Sequence, residues 1–187
     1  SNMAATNTQI EDELEILRSR SILLQVINEL NMHTSYRIKE GLGYTETTTP
    51  PISVTLEKAA MDTLQEALLI QIENMGDHYE ARSALHDICL TESFTTFPAT
   101  IKTLAGLCTL ELLSNRTFDR TVKVNICRPI DAVNHYLQKL TVATTSKKTS
   151  IISLTFKDTD KKRAEAFLIK LIEVYNRDAM NDKNKVT

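Results

Sequence analysis

The side chains in this sequence best equipped for proton transfer, metal ligation or nucleophilic attack are four histidines and three cysteines. They are His33, His78, His86 and His135, and Cys89, Cys108 and Cys127. A metal site of the HExxH or CxxC kind needs its ligands at short fixed intervals on one element; no two of the cysteines stand at a CxxC interval and no two of the histidines at an HExxH interval. Asp77 precedes His78 and Asp87 follows His86, but adjacent side chains on a strand or helix point apart, so spacing alone makes no proton relay. Glycine occurs only at 41, 43, 76 and 106, which leaves neither a GxxxxGK[ST] nor a GxGxxG loop to cradle phosphate. For the cysteines the plainer reading is small buried hydrophobes, with one disulfide and a leftover thiol as the alternative. Asn115-Arg116-Thr117 matches a glycosylation sequon; a solvated turn explains it as well. The expectation is a chain with no catalytic constellation, no metal and no cofactor.

Charge points the same way. The 187 residues carry a formal net charge of −2, whereas nucleic-acid binding needs clustered Lys and Arg, so no nucleic-acid partner is expected. Glu11, Asp12, Glu13 and Glu15 read as the solvated, acidic beginning of a helix, favoured there by the helix dipole. Lys147, Lys148, Lys161, Lys162 and Arg163 could gather at one sheet edge, as a solvated turn and helix start or as a site for anionic polymer or lipid headgroups. No run of about 18 apolar residues occurs, so nothing in the chain is expected to span a membrane.

The elements that would position these residues are legible in the periodicity. Thr8 and Glu11 predict a capping box ahead of Ile10, Leu14 and Leu17, and "SILLQVINEL" continues as a second helix after a bend at Ser19 to Ser21. "ISVTLE" after Pro50-Pro51 alternates as a strand, and "ALLIQIE" places Leu68, Ile70 and Ile72 on one face. "HYEARS" beyond the Gly76-Asp77 turn reads as its hairpin partner. "FPATIKTLAGLCTLELL" predicts two strands around Ala105-Gly106, and "RTVKVNIC" one with Val122, Val124 and Ile126 inward. Pro129 suits the first position of a helix carrying Ala132, Val133, Tyr136, Leu137 and Leu140. "LTVATTSKKTSIISLTF" closes as two strands.

The best-patterned stretch is 153–176, "SLTFKDTDKKRAEAFLIKLIEVYN". Ile152, Leu154 and Phe156 alternate as a half-buried strand. Asp158 then caps a helix with Asp160 in its first turn. Ala164, Phe167, Leu168, Leu171, Ile172 and Tyr175 make one apolar stripe. The sum is an α+β fold, a largely antiparallel sheet with helices packed on one face. Residues 1–9, opening on "SNM" like a cloning scar, are expected to be a flexible start. A single domain is expected over 10–180 and a flexible tail over 181–187.

"IEDELEILRSRSILLQVINEL" resembles the early segment of Wzz-type chain-length determinants, with Glu13, Glu15, Ile16, Leu17, Ser19, Arg20, Leu23, Val26 and Leu30 at matching places. "TSIISLTFKDTD" followed by "KKRAEAFLIKLIEVYN" is similar to the end of that family's sheet and its next helix. Ala164, Leu171 and Tyr175 fall on the pattern. "FPATIKTLAGLCTLELL" and "VNICRPIDAVNHYLQKLTVATTSKKTS" resemble its Gly-containing hairpin and following helix-strand unit. The likeness covers residues 10 to 56 and 97 to 180. It implies a periplasmic domain of an inner-membrane polysaccharide co-polymerase, with membrane spans lying outside this stretch. Copies would pack side by side into a ring, with a polysaccharide polymerase or export machinery as further partner. Some members continue into a cytoplasmic tyrosine kinase, which this stretch cannot be. On that reading Glu11, Glu15, Arg18 and Arg20 are the candidate interface residues. The alternatives are a cytoplasmic adaptor domain binding a partner protein and, less well supported by the residues, a hydrolase or sugar-binding enzyme.

Overall fold

The computed structural model describes residues 2–113, 118–146, 148 and 150–186. In chain order the elements are α1 (Asn2–Leu17), α2 (Arg20–Glu29), β1 (Thr34–Glu40), β2 (Gly43–Thr47), β3 (Ile52–Leu56), α3 (Lys58–Thr63), β4 (Leu68–Asn74), β5 (Tyr79–Leu85) and β6 (Ile88–Phe94). They continue with β7 (Ala99–Lys102), β8 (Leu107–Leu112), β9 (Val122–Ile126), α4 (Pro129–Leu137), β10 (Leu140–Thr144), β11 (Ile152–Phe156) and α5 (Lys161–Val186). The fold is α+β, and every strand pair is antiparallel. The sequence leads one to expect a single domain over 10–180; instead the chain divides into two compact units. A terminal unit takes both ends, up to Met32 and from Pro129, and an inserted unit holds His33–Arg128.

In the terminal unit, α2 packs on α4 and α5, α5 on β11, and α1 on α2, α5 and β10. Ser19 is the N-cap of α2, its hydroxyl accepting the Ile22 N–H at 3.3 Å, which sets the bend that the two serines suggest. At the other end Asn31 takes φ 52°. The Met32 N–H reaches the Ile27 carbonyl and the Asn31 N–H the Asn28 carbonyl, a Schellman close. Asn suits that left-handed position because its short polar side chain tolerates it. Ile22, Leu23, Val26 and Ile27 are buried on α2, and Ala132, Val133 and Tyr136 on α4. The Phe156 and Phe167 rings stack at 4.1 Å, with Tyr136 6.0 Å from Phe156.

Several expectations for this unit are corrected. Helix α1 starts at Asn2, so Thr8 lies inside it rather than at its cap, and the expected flexible start is helical. Asp160, not Asp158, caps α5, taking the Lys162 and Arg163 N–H groups at 2.8 and 3.2 Å. The buried line of α5 is Phe167, Leu171 and Val174; Ile172 is 47 % exposed, and Leu168 and Tyr175 are half-buried. The helix also runs on to Val186, through the segment expected to be a flexible tail, with Lys183 and Lys185 in its last turn where the dipole favours cations. Leu140 opens β10 instead of closing α4.

The inserted unit holds two sheets. Six strands run in the order β2-β1-β9-β4-β5-β6, and three in the order β3-β8-β7. Leu68, Ile70 and Ile72 of β4, Val122, Val124 and Ile126 of β9 and Tyr79 and Ala81 of β5 share one core with Ile52, Val54, Leu56, Ile101, Cys108 and Leu110 of the smaller sheet. The large sheet therefore buries its apolar face against the small sheet and α3, while α1, α2, α4 and α5 belong to the terminal unit. Burial of this kind is worth about 25 cal/mol per Å² of apolar surface, which is why the alternating aliphatic residues of β4 and β9 take the central strands. Tyr79, Phe94, Phe97 and Phe118 close one end, with Tyr79 5.0 Å from Phe97 and 5.2 Å from Phe118.

The predicted hairpins β4–β5, β7–β8 and β10–β11 all form, as does strand β9. Strands β1, β2 and β6 and helix α3 are not legible in the periodicity. The β1–β2 turn uses Gly41 at φ 59°, and the β5–β6 turn places both His86 and Asp87 at positive φ, 51° and 62°. That two-residue I′ hairpin normally signals itself by Asn-Gly; here Glu66 holds it, accepting the His86 N–H at 2.8 Å and pairing with the His86 ring.

Candidate functional site

The four interface candidates lie at the end of α1 and the start of α2, and all four are exposed. Glu11 and Glu15 are one turn apart and share a line on α1. Arg18, just beyond α1, spends a guanidinium N–H on the Leu140 carbonyl at 2.7 Å and so ties α1 to β10. Arg20 opens α2 on the far side of the Ser19 cap. The structure thus keeps Glu11, Glu15 and Arg20 as outward charge, and gives Arg18 a positioning task within its own unit.

A second charged network, absent from the sequence reading, joins α2 to α5. Arg177 makes two hydrogen bonds to the Glu29 carboxylate, at 2.8 and 2.9 Å, and a third to Gln25 at 3.2 Å. Gln25 in turn donates to Asp178 at 3.0 Å. The Arg177 hydrogen bonds hold the Glu29 carboxyl below its ordinary value. On the neighbouring turn, burial and the adjacent Glu13 carboxylate push the Tyr175 phenol up. The sequence carries no local signal for this network, because Glu29 closes α2, Arg177 lies well inside α5, and their contact is tertiary.

The chemically capable residues stay apart. His33 sits half-buried beside the Thr34 hydroxyl at 3.1 Å, and burial pushes its imidazole down. His78 bonds Asp77 at 2.6 Å and lies 3.5 Å from Glu80, which together hold it above its ordinary value. His86 pairs with Glu66, and His135 meets the Tyr136 ring edge-on at 4.9 Å. Among the described residues no group of three His, Cys, Asp or Glu could hold a metal ion. The three cysteines are free thiols. Cys108 is the small buried hydrophobe expected, its thiol pushed up to about 12 by burial and then by Glu57, while Cys89 is exposed on β6.

Of the basic group, Lys161 and Lys162 are exposed at the start of α5, and Arg163 turns inward to Asp158 at 2.5 and 2.8 Å. Lys147 and the sequon 115–117 lie outside the described residues. No described helix is long and apolar enough to cross a membrane. The outer face of the large sheet carries a polar row. Register places Glu46, Arg37, Lys123, Gln71, Arg82 and Thr91 side by side across its strands. Arg37 and Lys123 are like charges directly opposed, which costs stability. Lys123 relieves part of this by lying 4.0 Å over the Tyr44 ring.

No protein-family model matches this chain, and no curated protein matches it either.

Proposed function

We propose that this chain is a non-catalytic scaffold domain of the polysaccharide co-polymerase type, acting through assembly of copies rather than through chemistry. The observation that carries the reading is that both ends of the chain build one unit. The first and last helices, α1 and α5, pack on each other, with Glu13 beside Tyr175. A periplasmic domain slung between two inner-membrane anchors needs its two ends in the same unit. Two of the stretches that carry the resemblance, the Ser19-capped α2 and the β11-to-α5 passage, belong to that unit as well. On this reading the partners are further copies meeting through two different faces, and a polymerase or export machine. Glu11, Glu15 and Arg20 supply charges that set register more than affinity, and no cofactor is called for.

The test is genetic. Deleting the parent gene should abolish the modal chain length of a surface polysaccharide resolved on a gel, and the full-length gene should restore it. The reading frame should also show apolar runs of about 20 residues on both sides of this stretch. An unchanged length distribution together with polar flanks overturns the proposal. The second reading, a cytoplasmic adaptor, is favoured by the three free thiols, since such thiols persist in a reducing compartment.

A further inference from the structure

The inserted unit has four sheet edges, β2, β6, β3 and β7, and a bare edge is a template for pairing that proteins ordinarily close off. Three of the four are at most five residues long and carry a further device, whereas β6 has seven residues and only the charge of Glu92. Strand β3 bonds to β8 through its odd-numbered neighbours, as the Glu57-to-Leu107 and Leu113-to-Pro51 bonds show, so the Val54 N–H points outward. The Tyr36 hydroxyl takes that N–H at 2.9 Å. Strand β7 is four residues long, follows Pro98 and carries Lys102. Strand β2 is five residues long, opens on Gly43 and carries Glu46. Strand β6, "ICLTESF", has seven residues with no Lys, Arg, Pro or Gly, and no described strand pairs with its outer side.

The direction of its free groups follows from the turn before it. The I′ hairpin at His86-Asp87 makes Leu85 and Ile88 a hydrogen-bonded pair, and the alternation then bonds Ser83 with Leu90, Ala81 with Glu92 and Tyr79 with Phe94. The Ser83 hydroxyl donating to the Leu90 carbonyl agrees with that phase. The N–H and C=O groups of Cys89, Thr91 and Ser93 therefore face away from β5, and all three residues are exposed.

We infer that β6 is the docking edge for a second copy of this chain, the two strands pairing antiparallel about Thr91 so that two six-stranded sheets join. This does not rest on the co-polymerase reading, because it uses the inserted unit alone. The two-fold register brings outward-facing residues together: Thr91 meets Thr91 and Cys89 meets Ser93, each bonded pair exchanging two main-chain hydrogen bonds. On the core side Ile88, 58 % exposed, meets Phe94 of the second copy, an aliphatic–aromatic pair of the favourable kind. Phe94 is already stacked on Tyr79 at 5.4 Å, so the pairing extends an existing apolar cluster. The only charge on the strand, Glu92, falls opposite Leu90 rather than opposite itself. The two Glu92 carboxylates still lie on one diagonal, roughly 7–8 Å apart at Cα, and hold the affinity down. The contact belongs to the weak end of specific interfaces.

Sedimentation of the purified chain over a wide concentration range tests this. A concentration-dependent dimer is expected, weakened at least tenfold by Thr91→Pro, which removes an N–H that β5 does not use. Glu92→Gln should tighten it. The sharper probe is S93C, which places a thiol opposite Cys89 of the second copy at about 5.5 Å between Cα atoms, within disulfide range. Mild oxidation should give a covalent dimer from S93C and none from C89A/S93C. This readout decides the matter even if the proline variant fails to fold. A chain that stays monomeric to about millimolar concentration overturns the inference. So does a dimer indifferent to Thr91→Pro in a folded variant, or one that S93C does not trap.

Discussion

Tyr36 of the six-stranded sheet accepts the Val54 N–H of the three-stranded sheet at 2.9 Å, joining the rim of one layer to the edge of the other. Val54 is only 3 % exposed, so its donor has no water to turn to. Tyr36→Phe keeps the ring and removes the acceptor. It should cost about 1–3 kcal/mol, the penalty of a buried unsatisfied N–H, read as a lower urea midpoint with unchanged slope. A variant as stable as the parent would mean that the N–H has found another acceptor.

Gly106 closes the β7–β8 turn at φ 151°, where a Cβ would stand 2.6 Å from the Glu57 carboxylate and 2.7 Å from the Ala60 Cβ. The long Glu57 side chain could yield, but the Ala60 methyl is fixed to α3. Glu57 cannot move without a loss either, since it accepts the Leu107 N–H at 3.1 Å. Gly106→Ala should therefore destabilise by about 2–3 kcal/mol, from backbone strain and overpacking together. Thermal melts of this variant beside Gly43→Ala, where a Cβ meets nothing within 4 Å, separate the local clash from a general effect of losing glycine.

Asp158 has a fully buried side chain and is held by Arg163 at 2.5 and 2.8 Å, with the Asp160 N–H at 3.0 Å. Burial alone would push its carboxyl up; the Arg163 hydrogen bonds and charge outweigh it, leaving the carboxyl below the ordinary 3.8. The pair's stability is present above that value and is lost as pH falls through the lower native one. Arg163→Met leaves a buried carboxylate without its cation, held by the Asp160 N–H, and should cost about 3 kcal/mol at neutral pH. Asp158→Asn in the Arg163→Met background should recover part of the loss, which a double-mutant cycle by urea denaturation measures.

His78 titrates above its ordinary 6.5, chiefly through its hydrogen bond to Asp77, with Glu80 adding and partial burial opposing. The sign is that of a stabilising cation: the contribution is complete below 6.5 and disappears as pH rises through the higher native value. His33, pushed down by burial, works the other way and removes stability as pH falls through 6.5. Ring-proton NMR should place the His78 midpoint above 6.5 and the His33 midpoint below it. Asp77→Asn should lower the first and leave the second alone. A His78 midpoint unmoved by that change would sink the Asp77 assignment.

Legibility followed burial on one face. Strand β9 shows itself because Val122, Val124 and Ile126 are each buried while Lys123 and Asn125 are not. Strand β6 hides because an edge strand is half-solvated on both faces, and its neighbouring turn uses His86-Asp87 where the pattern expects Asn-Gly. Strand β1 hides likewise, since Tyr36 and Ile38 are its only large apolar residues beyond the rim. Of the candidate site, the residues and their exposure were readable, but the diversion of Arg18 to the Leu140 carbonyl was not, because 122 positions separate the two.

The residue pattern by itself determines the α+β class, the hairpins around Gly76 and Gly106, the Ser19 bend, and the passage from β11 into α5. Each is local: period, cap or turn chemistry within a few residues. Only the tertiary structure decides that the chain makes two units, that the large sheet faces a second sheet, and that Val174 rather than Ile172 turns inward on α5. An amphipathic stripe says that a face will be buried, but the partner that buries it is chosen by packing among distant elements, and no local spacing encodes that choice.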